Sequence, residues 1–213
     1  MNRLPPLIFG VFLTFAAAWL GVVAYSYIEL GRMEPVLDEA SGEINPPPIS
    51  GLAAAGQRVY AANGCVACHT QQVRPASLSS DLAKKLGPRP TVARDFLREH
   101  PAFLGSLRIG PDLTNAGLLT KPDGAPVDAN WFHRHLYEPT TVTPGSNMPS
   151  FRYLYRLRKI VGQPSALAVQ GLTGPHAPAP GYEVVPSEDA RTLVAYLLSL
   201  KRNYPLPEAE PLQ

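Results

Sequence analysis

Charge is scarce in this chain. Asp, Glu, Lys and Arg make up 17% of its 213 residues, against roughly 25% in an average globular protein. The net charge is only +2. That leaves no basic excess for holding nucleic acid and no like-charged tract of the kind that keeps a chain disordered. Cysteine is scarcer still. Two residues allow one disulfide at most, which excludes a disulfide-stapled scaffold. The heptads of a long coiled coil and the Gly-X-Y period of collagen are missing. Long apolar runs are not repeated, which excludes a polytopic membrane protein.

One such run is present. No charged residue stands between Arg3 and Glu29, so residues 4–28 form an uncharged stretch of 25. As a helix it would reach about 37 Å, enough for a ~30 Å hydrocarbon core. Pro5 and Pro6 open it, where missing N–H groups matter least. Trp19, Tyr25 and Tyr27 are amphipathic rings, and the tyrosines fall near the far interface. A cleaved signal peptide ending at Ala16-Ala17-Ala18 is the alternative, but the run continues well past those alanines, which favours a retained anchor over residues 1–30.

Residues 31–51 follow as an acidic, Pro-rich spacer. Glu34, Asp38, Glu39 and Glu43 face a single Arg32, and Pro46-Pro47-Pro48 stiffens the end. Residues 52–204 read as one domain and 205–213 as a tail. Residues 53–62 look helical, with Gly56 and Tyr60 on one side. A short helix is expected around residues 130–137. Ser187 can cap a last helix whose first turn carries Glu188 and Asp189. There Leu193, Tyr196, Leu197 and Leu200 repeat at i, i+3, i+4 and i+7, and Lys201 and Arg202 close the last turn. No strand pair or internal repeat is visible, and Pro/Gly-rich loops fill residues 104–126 and 172–186. The expected class is all-α, with the first domain helix crossing the last.

The chemistry lies in Cys65-Val66-Ala67-Cys68-His69. This is C-x-x-C-H, the c-type haem attachment signature. Two thiols three residues apart can each add to one vinyl group on a porphyrin edge, and the histidine that follows is carried under the iron. Covalent attachment also explains how a loop-rich, proline-rich domain holds so large a group. A structural zinc site needs a second ligand pair at short spacing. His100, His133, His135 and His176 do not supply one. A thioredoxin-like dithiol needs a preceding strand, and here a helix precedes.

The sixth iron ligand decides what such a group does. A His/Met pair closes the iron and favours electron transfer at a raised potential. Of three methionines, Met148 in Ser146-Asn147-Met148-Pro149 is the one placed within the domain and before the last helix, and it is the favoured ligand. A core gap-filler is the bland alternative. His133, His135 and His100 are the rival ligands. In Gly110-Pro111-Asp112-Leu113, the Pro111 carbonyl suits the free N–H of a ligating histidine; an ordinary turn fits the spacing equally well. Trp131 and Tyr137 fit either a haem pocket or plain core. Arg152, Arg156, Arg158 and Lys159 form a basic cluster, a solvated face or a dock for an acidic partner. Arg74 and Arg108 have the same ambiguity.

Together these segments resemble the mono-haem subunit II of cbb3-type cytochrome c oxidases, the FixO or CcoO family. The first block runs from Asn63-Gly64 through the haem motif to Thr70-Gln71-Gln72-Val73-Arg74-Pro75. The second is His100-Pro101-Ala102-Phe103-Leu104-Gly105-Ser106, Arg108 and Gly110-Pro111-Asp112-Leu113. The third is Trp131, His133-Arg134-His135-Leu136-Tyr137, Pro139 and Ser146-Asn147-Met148-Pro149. The resemblance covers about residues 58–150. Beyond Met148 it fades: Phe151-Arg152-Tyr153 replaces the aromatic-proline sequence, and residues 184–202 are closer to the terminal helix of a generic class I cytochrome c.

The resemblance implies one covalently attached haem c, with Cys65 and Cys68 as thioether donors and His69 and Met148 as axial ligands. It implies Pro111 as the His69 partner. It also implies a single-pass subunit in a bacterial cytoplasmic (inner) membrane, with the haem domain in the periplasm. Its role there would be to pass electrons from a donor cytochrome toward a copper-haem oxidase subunit in aerobic respiration, beside other cytochrome c subunits. No catalysis is expected on this chain alone. A free-standing anchored shuttle and the small subunit of a nitric oxide reductase share the layout.

Overall fold

A computed structural model describes residues 3–209. Residues 1–2 of the expected anchor and the last four residues of the expected tail, 210–213, lie outside them. The first element is α1 (Leu4–Leu30), 27 residues long, with a π-helical turn at Leu20–Ala24. None of its residues is buried. By length and composition it is able to cross a membrane, and a helix apolar all round matches a hydrocarbon environment.

The stretch after α1 departs from the expected solvated spacer. It folds into a small antiparallel hairpin, β1 (Val36–Leu37) with β2 (Ile44–Asn45). The Asp38 carboxylate closes its turn, accepting from the Ala40 N–H at 3.1 Å and the Ser41 hydroxyl at 2.7 Å. Asn45 and Pro46 are buried. Arg94 donates to the backbone carbonyl of Glu34 and pairs with Glu208 at 2.7 Å. Glu34, Glu39 and Glu43 stay exposed, so the segment packs through backbone, Asn and Pro while its carboxylates remain in water.

Two helices frame the domain. The first, α2 (Gly51–Ala62), crosses the last, α4 (Glu188–Ser199), over buried Tyr60 and Tyr196, whose rings meet edge-on at 5.4 Å and 62°. Phe103, Phe132, Leu136, Leu193 and Leu197 complete one core. The Ser187 hydroxyl caps α4 by accepting from the Ala190 N–H at 3.2 Å. Lys201 and Arg202 fall beyond the helix end. Arg202 is buried, paired with Glu99, donates to the Gln71 carbonyl at 3.0 Å and lies 4.3 Å over the Phe96 ring. Between the framing helices stands α3 (Ala129–Tyr137), whose N-terminus Asp128 caps through the Trp131 N–H at 2.7 Å.

The all-α expectation needs correcting. Besides the first hairpin, β3 (Tyr155–Lys159) pairs antiparallel with β4 (Tyr182–Pro186), from Tyr155 opposite Pro186 to Lys159 opposite Tyr182. Among the described residues, helices are joined by long irregular stretches and by two two-stranded antiparallel sheets, so the fold is mixed with little sheet. β3 is not evident in the sequence because the alternation in Tyr155-Arg156-Leu157-Arg158 is only four residues long and rich in charge, and four of the five strand residues are exposed. β4 also takes residues 182–186 from the loop expected at 172–186, and α4 begins at Glu188, directly after the expected Ser187 cap.

Candidate functional site

The site begins where α2 ends. The Asn63 side chain donates back to the Val59 carbonyl at 2.8 Å. Gly64, at φ +68°, turns the chain left-handed, a conformation glycine adopts without penalty. A 3-10 turn over Cys65–Ala67 follows, and the His69 N–H reaches back to the Cys65 carbonyl at 3.0 Å. Both thiols are free and share one turn with the imidazole. Burial, with Cys68 alongside, pushes the Cys65 thiol up to about 11.

His69 is held from across the sequence. Its Nδ1 lies 2.7 Å from the Pro111 carbonyl oxygen. A carbonyl only accepts, so the proton sits on Nδ1 and Nε2 keeps its lone pair. Two backbone bonds bracket this contact: Gly110 N–H to the Cys68 carbonyl at 3.0 Å and Leu113 N–H to the Thr70 carbonyl at 2.8 Å. A β-carbon on Gly110 would stand 2.2 Å from His69 Cε1, so only glycine lets the strap lie against the ring.

A polar cluster fastens the same two segments, and the sequence reading missed it. The buried Asp112 carboxylate accepts from the Thr70 hydroxyl at 2.5 Å, the Gln72 N–H at 2.8 Å and the Thr114 N–H at 2.9 Å. Arg108 donates to Thr70 Oγ1 at 2.7 Å, to the Gln72 carbonyl at 2.6 Å and to Asp81. The only sequence signal was an Arg and an Asp four apart around Gly110-Pro111. Arg74 contributes its backbone N–H to Asp81 at 2.8 Å.

The His69 turn and the Pro111 strap border a cavity of about 430 Å³. Cys68, His69, Gly110 and Pro111 line it together with Trp131, Phe132, His135 and Leu136 of α3 and with Met148 and its neighbours, and Ile109, Leu113, Leu119 and Leu197 add apolar surface. Cys65 belongs to the adjoining turn and is not among the lining residues. The loop carrying Met148 is tied down on both sides, by the Met148 N–H to Ser146 Oγ at 3.2 Å and the Phe151 N–H to the Leu136 carbonyl at 2.8 Å.

The remaining histidines separate clearly. His133 turns away from the cavity, with Nδ1 3.1 Å from the Tyr155 hydroxyl and its pKa lowered to about 4 by burial. His135 lines the cavity and stacks on Trp131 at 5.0 Å and 5°. Its pKa is also lowered to about 4, by burial and by nearby His69. Tyr137 donates to the His176 carbonyl at 3.0 Å. Of the basic cluster, Arg158 pairs with Glu183 at 2.6 Å and Arg152 approaches Glu138 at 3.6 Å, while Arg156 and Lys159 are exposed.

A family model described as the mono-heme subunit of cytochrome c oxidase, FixO, matches residues 13–170. The chain belongs to this family. No curated protein matches it. The matched segment opens inside α1 and takes in the thiol turn, Pro111, α3 and Met148; β4 and α4 lie beyond it. Membership makes the chain a mono-haem oxidase subunit, and so part of a complex. The residues present suit one haem. The cavity is largely apolar, as a site for a flat hydrophobic ring should be. It offers an imidazole with its lone pair free and a thioether, and two free thiols stand in the adjoining turn.

Proposed function

We propose that this subunit is a membrane-anchored c-type cytochrome, class I-like in its haem domain, that carries single electrons as subunit II of a cbb3-type oxidase in aerobic respiration. Residues 1–30 are the anchor, 31–51 the connection, 52–204 the haem domain and 205–213 the tail. Cys65 and Cys68 are the thioether donors, and His69 and Met148 the axial ligands. One haem c, when bound, supplies a one-electron Fe(III)/Fe(II) couple.

The observation that carries this reading is the 2.7 Å bond from His69 Nδ1 to Pro111 beside a cavity that Met148 also lines. The Pro111 carbonyl fixes the tautomer and plane of His69, leaves Nε2 available to a metal and raises its basicity. Met148 provides a neutral, polarisable donor that favours the reduced state. Trp131, Phe132 and Leu136 keep water out. His69 and Met148 would both hold the iron when haem is bound, which suits a chain that relays electrons and transforms no substrate of its own.

The C-x-x-C-H motif supports a haem domain on the periplasmic side of a bacterial inner membrane. The electrons come from a donor cytochrome and go to a copper-haem catalytic subunit, beside other cytochrome c subunits. Two measurements on the purified full-length protein test this. Its mass should exceed the polypeptide by one haem, and its reduced-minus-oxidised spectrum should be that of a six-coordinate His/Met cytochrome c. A mass equal to the bare chain would overturn the reading. A copper-haem subunit should co-purify; isolation alone at full haem occupancy would favour a free-standing shuttle.

A further inference from the structure

Buried polar groups are nearly always hydrogen-bonded, and an exception calls for a reason. His135 is such an exception. Its Nδ1 is buried without a partner, and no described residue bonds its Nε2. The other imidazoles nearby are engaged, His69 by Pro111 and His133 by Tyr155. His135 is nonetheless firmly placed. It sits on α3, one turn after Trp131, and stacks flat on that indole, whose own backbone N–H is fixed by the Asp128 cap. A rigidly held imidazole with neither nitrogen bonded by a described residue thus lines the same cavity as His69 and Met148.

We propose that His135 is a reserve iron ligand, the side chain that coordinates the haem iron when the Met148 thioether leaves it. The inference rests on the assignment of Met148 as the resident ligand. Neutral imidazole is a common iron donor. In the exchange an iron–sulfur bond breaks and an iron–nitrogen bond forms; the imidazole keeps its proton on the other nitrogen, and no electron moves. Met148 reaches the cavity from a loop fastened at its backbone and His135 from a helix, so the exchange needs only the unbranched Met148 side chain to turn aside while the replacement stays in place. The iron then remains six-coordinate and closed to small ligands, at a lower potential because imidazole replaces thioether.

The test compares the full-length, haem-loaded protein in detergent as wild type, Met148→Ala, and Met148→Ala with His135→Ala. Ferric spin state by paramagnetic resonance and carbon monoxide binding to the reduced form are the readouts. The expected result is a low-spin bis-imidazole signal in Met148→Ala and a high-spin signal in the double variant. Carbon monoxide affinity of the single variant should be weaker than that of the double by at least about tenfold, since the open fraction falls by that factor. A high-spin Met148→Ala that binds carbon monoxide as tightly as the double variant overturns the reserve ligand and leaves the proposed function standing. A Met148→Ala with the wild-type spectrum shows that Met148 was never the ligand and overturns both. Met148→Leu, which keeps the side-chain volume, serves the same comparison if the alanine variant does not accumulate.

Discussion

Gly56 on α2 lies so close to Thr192 on α4 that a β-carbon there would fall 1.8 Å from the Thr192 carbonyl oxygen and 2.8 Å from Tyr196 Cβ. The two helices that frame the domain therefore touch backbone to backbone, with Tyr60 and Tyr196 filling the space beside the contact. Gly56→Ala should force them apart. Overpacking of this kind costs about 1–3 kcal/mol, and more where backbone must move. Thermal unfolding of the full-length variant should begin several degrees lower; an unchanged midpoint would mean that α2 and α4 slide freely.

Arg108 should stabilise the strap that holds Pro111 against His69. Arg108→Ala removes donors to Thr70, Gln72 and Asp81 and leaves Asp81 and Asp112 without their cation. A loss of about 2–4 kcal/mol follows from the stranded carboxylates. Arg108→Lys should recover only part of it, because an ammonium cannot reproduce the fork. The midpoint potential should move along with the stability, since the carbonyl that orients His69 is released. A stability loss at constant potential would sever the cluster from the site.

Acid should weaken this same cluster. Burial raises the Asp81 pKa, but Arg108 and the Arg74 N–H outweigh it and hold the carboxyl down to about 2, against an ordinary 3.8. The folded chain thus binds the Asp81 proton less readily than the unfolded chain does. The stability contributed by Asp81 is present above pH ~4 and is lost as pH falls toward 2. Denaturant melts of wild type and Asp81→Asn should converge over that interval; parallel curves would contradict the assignment.

Glu99 and Arg202 form a buried pair, with side chains 7% and 5% exposed. Removing one partner strands the other charge, so Glu99→Ala should cost about 3–5 kcal/mol. Glu99→Gln keeps an acceptor and should cost less. Equal melting of the two variants would mean that the Arg202 charge is satisfied by Gln71 and Phe96 alone.

Apart from the crossing of the framing helices, expected over Gly56, Tyr60 and Tyr196, what could be read from the sequence was local, as with the Ser187 cap, set by its own residue type and the acids after it. The turn that gathers Cys65, Cys68 and His69 is set by five consecutive residues. Contacts between distant segments were harder. Pro111 meets His69 across 42 positions, and its dipeptide looked the same as any turn. The Arg108 cluster draws on Thr70, Asp81 and Asp112, each unremarkable alone. β3 and β4 stand far apart in sequence, and β3 shows water four of its five side chains. The engagement of His133 by Tyr155 depends on a strand pair that is not evident in the sequence.

The bond from Arg94 to the Glu34 carbonyl also limits travel. Only residues 31–34 separate the end of α1 from that fastening, and four extended residues span at most about 14 Å. With α1 lodged in a bilayer, the domain is bracketed just above the lipid rather than leashed to it. On the proposed reading, an electron-transfer partner of the His69 cavity then finds it within a short reach of the membrane surface.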